Sequence, residues 1–298
     1  MNPQNSEPIV VLDHVTRRYG TRCALNDVSL EIPRGGVMGL VGANGAGKTT
    51  LIKHILGLLK AQSGRVTVFG LNPVAHAVCV LGRLGYLSED RDLPPWITVG
   101  ELLRYSRAFY PSWDAGYAED LRDQFQLSRE SIVRTLSKGE LAKAGLLVAL
   151  AHKPELLVLD EPSSGLDPIV RREMLEAIVR AVADEGRTVL FSSHLLDEIA
   201  RVSDRVALLA GGRLALHGDL SHILETHRRM VVRVPDAAAL RRAPGLLNLT
   251  GGPEEWTAIC NGGEGEFHQA VQQLQGEVLE QSGATFEEIF HARVNATA

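Results

Sequence analysis

An α/β fold with a central, mostly parallel sheet is predicted for this 298-residue chain by three observations. The apolar run Val37 to Val41 leads straight into Gly42-Ala43-Asn44-Gly45-Ala46-Gly47-Lys48-Thr49, and an amphipathic stretch through Leu51, Ile52, Ile55, Leu56 and Leu59 follows. A second short apolar run, Leu156 to Leu159, ends in Asp160 and Glu161, as a strand covered on both faces does. Strand-like and helix-like stretches then alternate, the pattern of helices laid over a parallel sheet.

In chain order, Ile9 to Val15 and Ala24 to Ile32 read as strands around the turn Arg18-Tyr19-Gly20-Thr21. Val37 to Val41 is the next strand and Lys48 to Leu59 its helix. Arg65 to Phe69 and Leu84 to Leu87 are further strands. From Thr98 to about residue 153 apolar residues recur at helical spacing, as in Val99, Leu102 and Leu103. Leu156 to Asp160 is a buried strand, Ile169 to Asp184 a helix, Thr188 to Ser192 a strand and Leu195 to Val202 a helix. Val206 to Leu209 and Arg213 to Leu216 form a hairpin around Gly211-Gly212. The main domain is expected over residues 8–225, with a helical part near 98–153. Over 226–298 the strands Met230 to Val234, Leu246 to Thr250 and Trp256 to Cys260, with helices Ala237 to Arg242 and Phe267 to Gln275, suggest a small α+β domain of βαββαβ order. A last strand and the helix Phe286 to Arg293 close it. Its loop at Pro253 carries no obvious catalytic group.

With 45% hydrophobic residues the chain can bury a full core. A net charge of −5 gives no overall basic surface for nucleic acid, and none is expected as a partner. The three cysteines, Cys23, Cys79 and Cys260, form no C-x-x-C pair and fit reduced thiols in a cytosolic protein. Met1 to Glu7 lacks the basic and apolar regions of a signal peptide. No apolar run reaches the roughly 18 residues that a membrane span needs.

The segment Gly42 to Thr49 matches G-x-x-x-x-G-K-T between a strand and a helix, which fixes the ligand class as a nucleoside triphosphate. Its glycines let backbone N–H groups turn toward phosphate oxygens, and the helix that follows presents its positive end. Lys48 supplies a cation for the β- and γ-phosphates, and the Thr49 hydroxyl is a candidate Mg²⁺ ligand. Asp160 is a second candidate ligand, held through water, and Glu161 a candidate general base. Leu136-Ser137-Lys138-Gly139-Glu140 opens a helix; it reads equally as an ordinary N-cap or as an anion site. His194 follows the strand Val189 to Ser192. It is either a surface residue or, where that strand lies beside the Asp160 strand, a γ-phosphate contact at the crevice beyond the strand ends. Tyr19 is either a packing residue or a stacking partner for the base.

Taken together these motifs resemble the nucleotide-binding subunit of an ATP-binding cassette (ABC) transporter. The ordered set is Tyr19, Gly42 to Thr49 with Thr50, Gly85-Tyr86-Leu87-Ser88-Glu89, Leu136 to Glu140, Leu157 to Glu161, Ser164 to Asp167 and His194. Phe109-Tyr110-Pro111-Ser112-Trp113-Asp114 is further similar to a bacterial type-2 exporter branch, whose members pair with a separate permease. The resemblance implies a phosphate-loop ABC ATPase core with an antiparallel β subdomain and a helical subdomain. It implies two such domains closing head to tail on two ATP molecules with Mg²⁺, at the cytoplasmic face of the membrane beneath the permease. Tyr19 and Gly42 to Thr50 would hold ATP in one copy. Ser137, Lys138, Gly139 and Glu140, with Asp167, would act on the ATP of the other. Lys48, Glu161 and His194 would serve catalysis, and Thr49, Glu89 and Asp160 the metal.

Two motifs depart from the family pattern. Glu89 stands where the family has Gln, and Ser137-Lys138-Gly139-Glu140 where it has Ser-Gly-Gly-Gln. Lowered or retuned rather than lost activity is expected. Two other classes compete: a soluble switch of the same fold in repair or on ribosomes, and a non-hydrolysing regulator. Fewer than a hundred residues separate Lys48 from Ser137, without the long coiled coil of repair types. One cassette stands where ribosomal types have two, and Glu161 with His194 speaks against a non-hydrolysing protein.

Overall fold

The computed structural model describes residues 7–183, 186–252 and 255–297. The segment Met1 to Ser6, the expected helix end at Asp184 and the expected loop residue Pro253 lie outside the described residues. The chain forms two compact units that divide between Leu214 and Ala215, upstream of the boundary after residue 225 read from the sequence.

The first unit runs β1 (Val10–Tyr19), β2 (Arg22–Ile32), β3 (Gly36–Val41), α1 (Lys48–Ile55), β4 (Ser63–Val68), α2 (Ala77–Leu81), β5 (Leu84–Leu87), α3 (Val99–Arg107), α4 (Ala115–Gln124), α5 (Lys138–Leu150), β6 (Leu156–Asp160), α6 (Pro168–Ala183), β7 (Thr188–Ser193), α7 (Leu196–Val202) and β8 (Arg205–Ala210). The division falls inside β9 (Arg213–Asp219). β2-β1-β4 form an antiparallel sheet. The larger sheet has the order β5-β6-β7-β3-β8-β9, and its pairs β5–β6, β6–β7, β7–β3 and β3–β8 are parallel.

Burial explains why these segments are strands. Every residue of β6 and β7 is buried, and each buried Leu or Val there contributes roughly 1.5–3 kcal/mol. Apart from Thr188, which starts β7, their polar residues stand at the C-terminal ends. In parallel register Asp160 of β6 lies opposite Ser192 of β7, and Ser193 opposite Val41 of β3. Three loops therefore leave the sheet side by side: the one after Val41, the one after Asp160 and the one after Ser193. That is where a parallel sheet holds its ligand.

Two sequence boundaries shift for local reasons. The helix α1 stops at Ile55 rather than Leu59, because Gly57 turns at φ +72° and a Cβ there would lie 2.4 Å from the Pro73 carbonyl oxygen. Strand β4 spans Ser63–Val68 rather than Arg65 to Phe69; Phe69 at φ 55° and Gly70 at φ 76° turn the chain. The helical region holds α3, capped by a Thr98–Glu101 box, α4, capped by Asp114, and α5. The Tyr110 ring stacks on His152 at 3.8 Å, and Ser112 Oγ donates to the His152 carbonyl at 3.0 Å. The Phe109–Asp114 stretch thus fastens this region to the end of α5.

The second unit continues with α8 (Leu220–Thr226), β10 (His227–Arg233), α9 (Ala237–Leu240), β11 (Leu246–Gly251), β12 (Trp256–Asn261), α10 (Glu264–Gln273), β13 (Glu277–Gly283) and α11 (Phe286–Thr297). Its strands pair antiparallel in the order β11-β12-β10-β13. From β10 to β13 the element order is the βαββαβ read from the sequence, with α8 an addition. Met230, Val232, Leu240, Ala258, Cys260, Phe267 and Val271 form its apolar core.

Candidate nucleotide site

The loop after β3 is shaped by close contacts. Gly47 sits at φ +113°, and a Cβ there would lie 2.4 Å from the Ala24 carbonyl oxygen. Only glycine allows this loop to pass so close to β2. Lys48, at the start of α1, is 6% exposed. Its Nζ donates to the Gly42 carbonyl at 2.7 Å and lies 3.0 Å from Glu161 Oε1, an ion-pair contact off the hydrogen-bonding direction.

Glu161 directly follows β6 and carries an unusual backbone, φ +48°. A non-glycine residue in that region stores roughly 1–3 kcal/mol of strain and marks a position fixed by its surroundings. The surroundings are visible. The Glu161 N–H donates to Ser192 Oγ at 2.9 Å, and Ser192 Oγ donates to Asp160 Oδ1 at 2.7 Å. Glu161 Oε2 faces His194 Nδ1 at 2.6 Å and accepts from the His194 N–H at 3.2 Å. Lys48, Glu161 and His194 therefore converge.

Asp160 is 1% exposed. Burial pushes its carboxyl above the ordinary range, against hydrogen bonds from Ser192 and Thr49 that favour the charged form. The Thr49 hydroxyl and the Asp160 carboxylate thus stand together as hard oxygen donors, which suits Mg²⁺.

A cavity of about 470 Å³ is lined by Tyr19, Arg22, Ala24, Ala43, Asn44, Gly45, Gly47, Lys48, Thr49, Thr50, Glu89 and Glu161. Gly42 and Ala46 lie behind this lining and shape the loop. Tyr19 is 43% exposed, with the Arg17 guanidinium 4.9 Å from its ring centre. Glu89 lines both this cavity and the neighbouring groove that reaches Thr49 and Asp160.

Ser137, Lys138, Gly139, Glu140 and Asp167 are not part of the cavity. Ser137 caps α5: its Oγ accepts from the Glu140 N–H at 3.2 Å, and the Glu140 carboxylate accepts from the Ser137 N–H at 2.8 Å. Those bonds hold the Glu140 carboxyl below its ordinary range, so its first task is to shape the helix tip. A Cβ on Gly139 would lie 3.0 Å from the Val170 side chain, which seats the tip on α6. Asp167 Oδ1 caps α6 by accepting from the N–H groups of Ile169 and Val170.

Sequence reasoning missed Arg22 and Ser192. Arg22 lines the cavity and donates to the Gly45 carbonyl at 2.8 Å; a cation close to Tyr19 was its only signal. Ser192 links Asp160 to Glu161 through a sheet neighbour that no linear pattern displays.

This fold and site define a phosphate-loop nucleotide-binding domain with an acid and a histidine at the strand ends. The family of ABC transporters matches residues 25–164. The ABC transporter ATP-binding protein YhaQ of Bacillus subtilis is 34% identical, covering 85% of this chain and 84% of its own length. The daunorubicin resistance ATP-binding protein DrrA3 of Streptomyces coeruleorubidus is 33% identical, covering 83% and 80%. The solved structure of an ATP-binding subunit of an ABC transporter superposes with a TM-score of 0.67 at 29% identity, covering 73% of this chain and 92% of that one. The chain belongs to the ABC transporter ATP-binding proteins and is an ATPase subunit of that family. No helix among the described residues is long and apolar enough to cross a membrane.

Proposed function

We propose that two copies of the first unit close head to tail on two Mg-ATP molecules and thereby drive export through a separate membrane permease. The convergence of Lys48, Glu161 and His194 at the cavity's edge carries this reading. Tyr19 stacks on the base, and the loop Gly42 to Thr50 wraps the triphosphate. Lys48, freed from Glu161 by the phosphates, neutralises their charge. Glu161 takes the proton of the attacking water, and His194 orients Glu161 and meets the γ-phosphate. Mg²⁺, held by Thr49, Asp160 and Glu89, would offset the phosphate charge.

Ser137, Lys138 and Gly139 belong to the other copy's site. The tip of α5 is capped, lies outside its own cavity and leaves Ser137 and Lys138 exposed. Brought up by a partner, its N-terminus completes the charge cage only on closure. Asp167, which fixes the start of α6, accompanies it. The domain sits at the membrane's cytoplasmic face through the permease. The exposed Leu58, Trp96, Tyr105 and Phe109, 56–74% accessible, suit such docking. Export is favoured by the likeness to a daunorubicin resistance protein.

The test is a disulfide trap between Ser137→Cys and Asn44→Cys in a Glu161→Gln background. The link is expected between chains and only with Mg-ATP. A link formed within one chain, or formed equally without nucleotide, overturns the head-to-tail arrangement.

A further inference from the structure

The tripeptide Pro162–Ser164, directly after Glu161, is held by two buried charges of opposite sign. Arg91 is 9% exposed, sits at φ +52° and lies two residues beyond Glu89. Its Nη2 donates to the carbonyls of both Pro162 and Ser164, at 3.1 and 2.6 Å. Its Nε is buried without a hydrogen-bond partner among the described residues. A guanidinium that leaves one donor unmet to reach two carbonyls is poorly explained by stability alone.

The second charge is Glu198 of α7, 4% exposed. Its Oε2 accepts from Ser163 Oγ at 2.6 Å and from Ser193 Oγ at 2.9 Å. Ser193 immediately precedes His194. Glu198 Oε1 lies 3.2 Å from Arg171 Nε, and the Arg171 N–H donates to the Asp167 carbonyl at 3.0 Å. One carboxylate therefore ties the residue after Pro162 to the residue before His194 and to the start of α6. Buried ions cost stability that well-packed apolar residues would not. Their placement around one tripeptide points to a task of orientation.

We propose that Arg91 and Glu198 are positioning residues that latch Pro162–Ser164, so that Glu161, His194 and the Asp167 segment take their places together. The loop that carries Glu89 reaches the tripeptide through Arg91, and the loop that carries His194 reaches it through Glu198. A shift of either loop is passed to Glu161 and to the segment bound for the partner. Neither Arg91 nor Glu198 lines the nucleotide cavity. The latch acts through Glu161 and His194, and it rests on the reading of those residues given above.

Steady-state ATPase kinetics of the full chain, with thermal unfolding alongside, test it. Glu198→Gln keeps the size and removes the charge. Ser163→Ala deletes one oxygen and carries the test even where Glu198→Gln fails to fold. Arg91→Met keeps the length of the side chain's stem and removes both hydrogen bonds to the Pro162 and Ser164 carbonyls. Each is expected to lower kcat by about tenfold, since small misplacements of catalytic groups are that costly. KM for ATP should stay unchanged, because the loop Gly42 to Thr50 is untouched. The double variant Ser163→Ala/Glu198→Gln should be no slower than the slower single, as both break the same contact. A wild-type kcat in Ser163→Ala, a raised KM with kcat preserved, or losses that multiply in the double overturns the latch. Glu161→Gln run in parallel separates the two levels. Its inactivity beside an unaffected Ser163→Ala rejects the latch alone, whereas full activity of Glu161→Gln removes the reading on which the latch rests.

Discussion

Both units of this chain bury an apolar core, but they differ in the charged groups that they bury beside it. In the first, Lys48, Arg91, Asp160, Glu161, Ser163, Ser192, Ser193 and Glu198 are all buried, gathered beyond the C-terminal ends of β6, β7 and β3. In the second, the buried core from Met230 to Val271 is apolar. Its charges are spent on surface pairs such as the cross-strand Arg229–Glu280 at 2.9 Å and the strand-to-helix Arg228–Glu264 at 2.9 Å. The difference follows from topology. A parallel sheet sends its loops out at one end and aligns their polar residues there. An antiparallel sheet alternates its turns between two ends, covers one face with helices and leaves its polar residues in water. The first arrangement gathers at one edge the polar groups that chemistry needs.

Substitutions in the two units should therefore differ in kind. The largest effect is expected for Lys48→Ala. Loss of a charge that meets the phosphates should weaken ATP binding roughly tenfold to a hundredfold, as for a hydrogen bond to a charged group. Calorimetric titration with Mg-ATP checks it, and unchanged affinity would dissolve the contrast between the units.

Asp160→Asn should show the first unit trading stability for function. The buried Asp160 carboxyl titrates above its ordinary range in the folded chain, so the folded state holds its proton more tightly than the unfolded one. Stability is then lost as pH rises from the ordinary carboxylate range through the raised folded value. Without nucleotide, Asp160→Asn is expected to unfold at a higher temperature than wild type at neutral pH, and this advantage should shrink as the pH falls toward that range. The variant should lose Mg²⁺-dependent turnover. A lower midpoint at neutral pH would show that ionised Asp160 stabilises the fold.

The smallest effect belongs to the second unit. Arg229 pairs with Glu280 and Glu288 at 2.9 and 3.3 Å, with its side chain 27% exposed. Arg229→Ala should cost no more than about 1 kcal/mol, the ceiling for such surface pairs, and leave ATP turnover unchanged. Urea unfolding and an ATPase assay on the same sample check both halves. A fall in turnover of about tenfold would end this division of labour between the units.

What was legible in the sequence follows the same line. The glycine loop, Asp160, Glu161 and His194 could be read because the chemistry demands those residue types at the ends of recognisable strands. The second unit could be read because Met230 to Val234 and Trp256 to Cys260 are short apolar runs bounded by turn residues, Pro235-Asp236 and Asn261-Gly262. Ser192, Arg91 and Glu198 could not, because each acts on a residue brought near by the sheet: Ser192 meets Asp160 only through the pairing of β6 with β7. Helix α1 was drawn too long because Leu56 and Leu59 continue its apolar face, while the turn at Gly57 is dictated by its approach to Pro73.

The central claim is that Glu161 is the base of a site that ATP itself completes between two copies. Light scattering on a sizing column, applied to Glu161→Gln with and without Mg-ATP, tests it most directly. Removing the base while keeping size and charge partners should cut turnover by at least about a hundredfold and leave ATP bound. The eluting mass should then double with Mg-ATP and return to that of one chain without it. A variant that hydrolyses ATP at the wild-type rate, or that binds Mg-ATP without any change in mass, would contradict the claim.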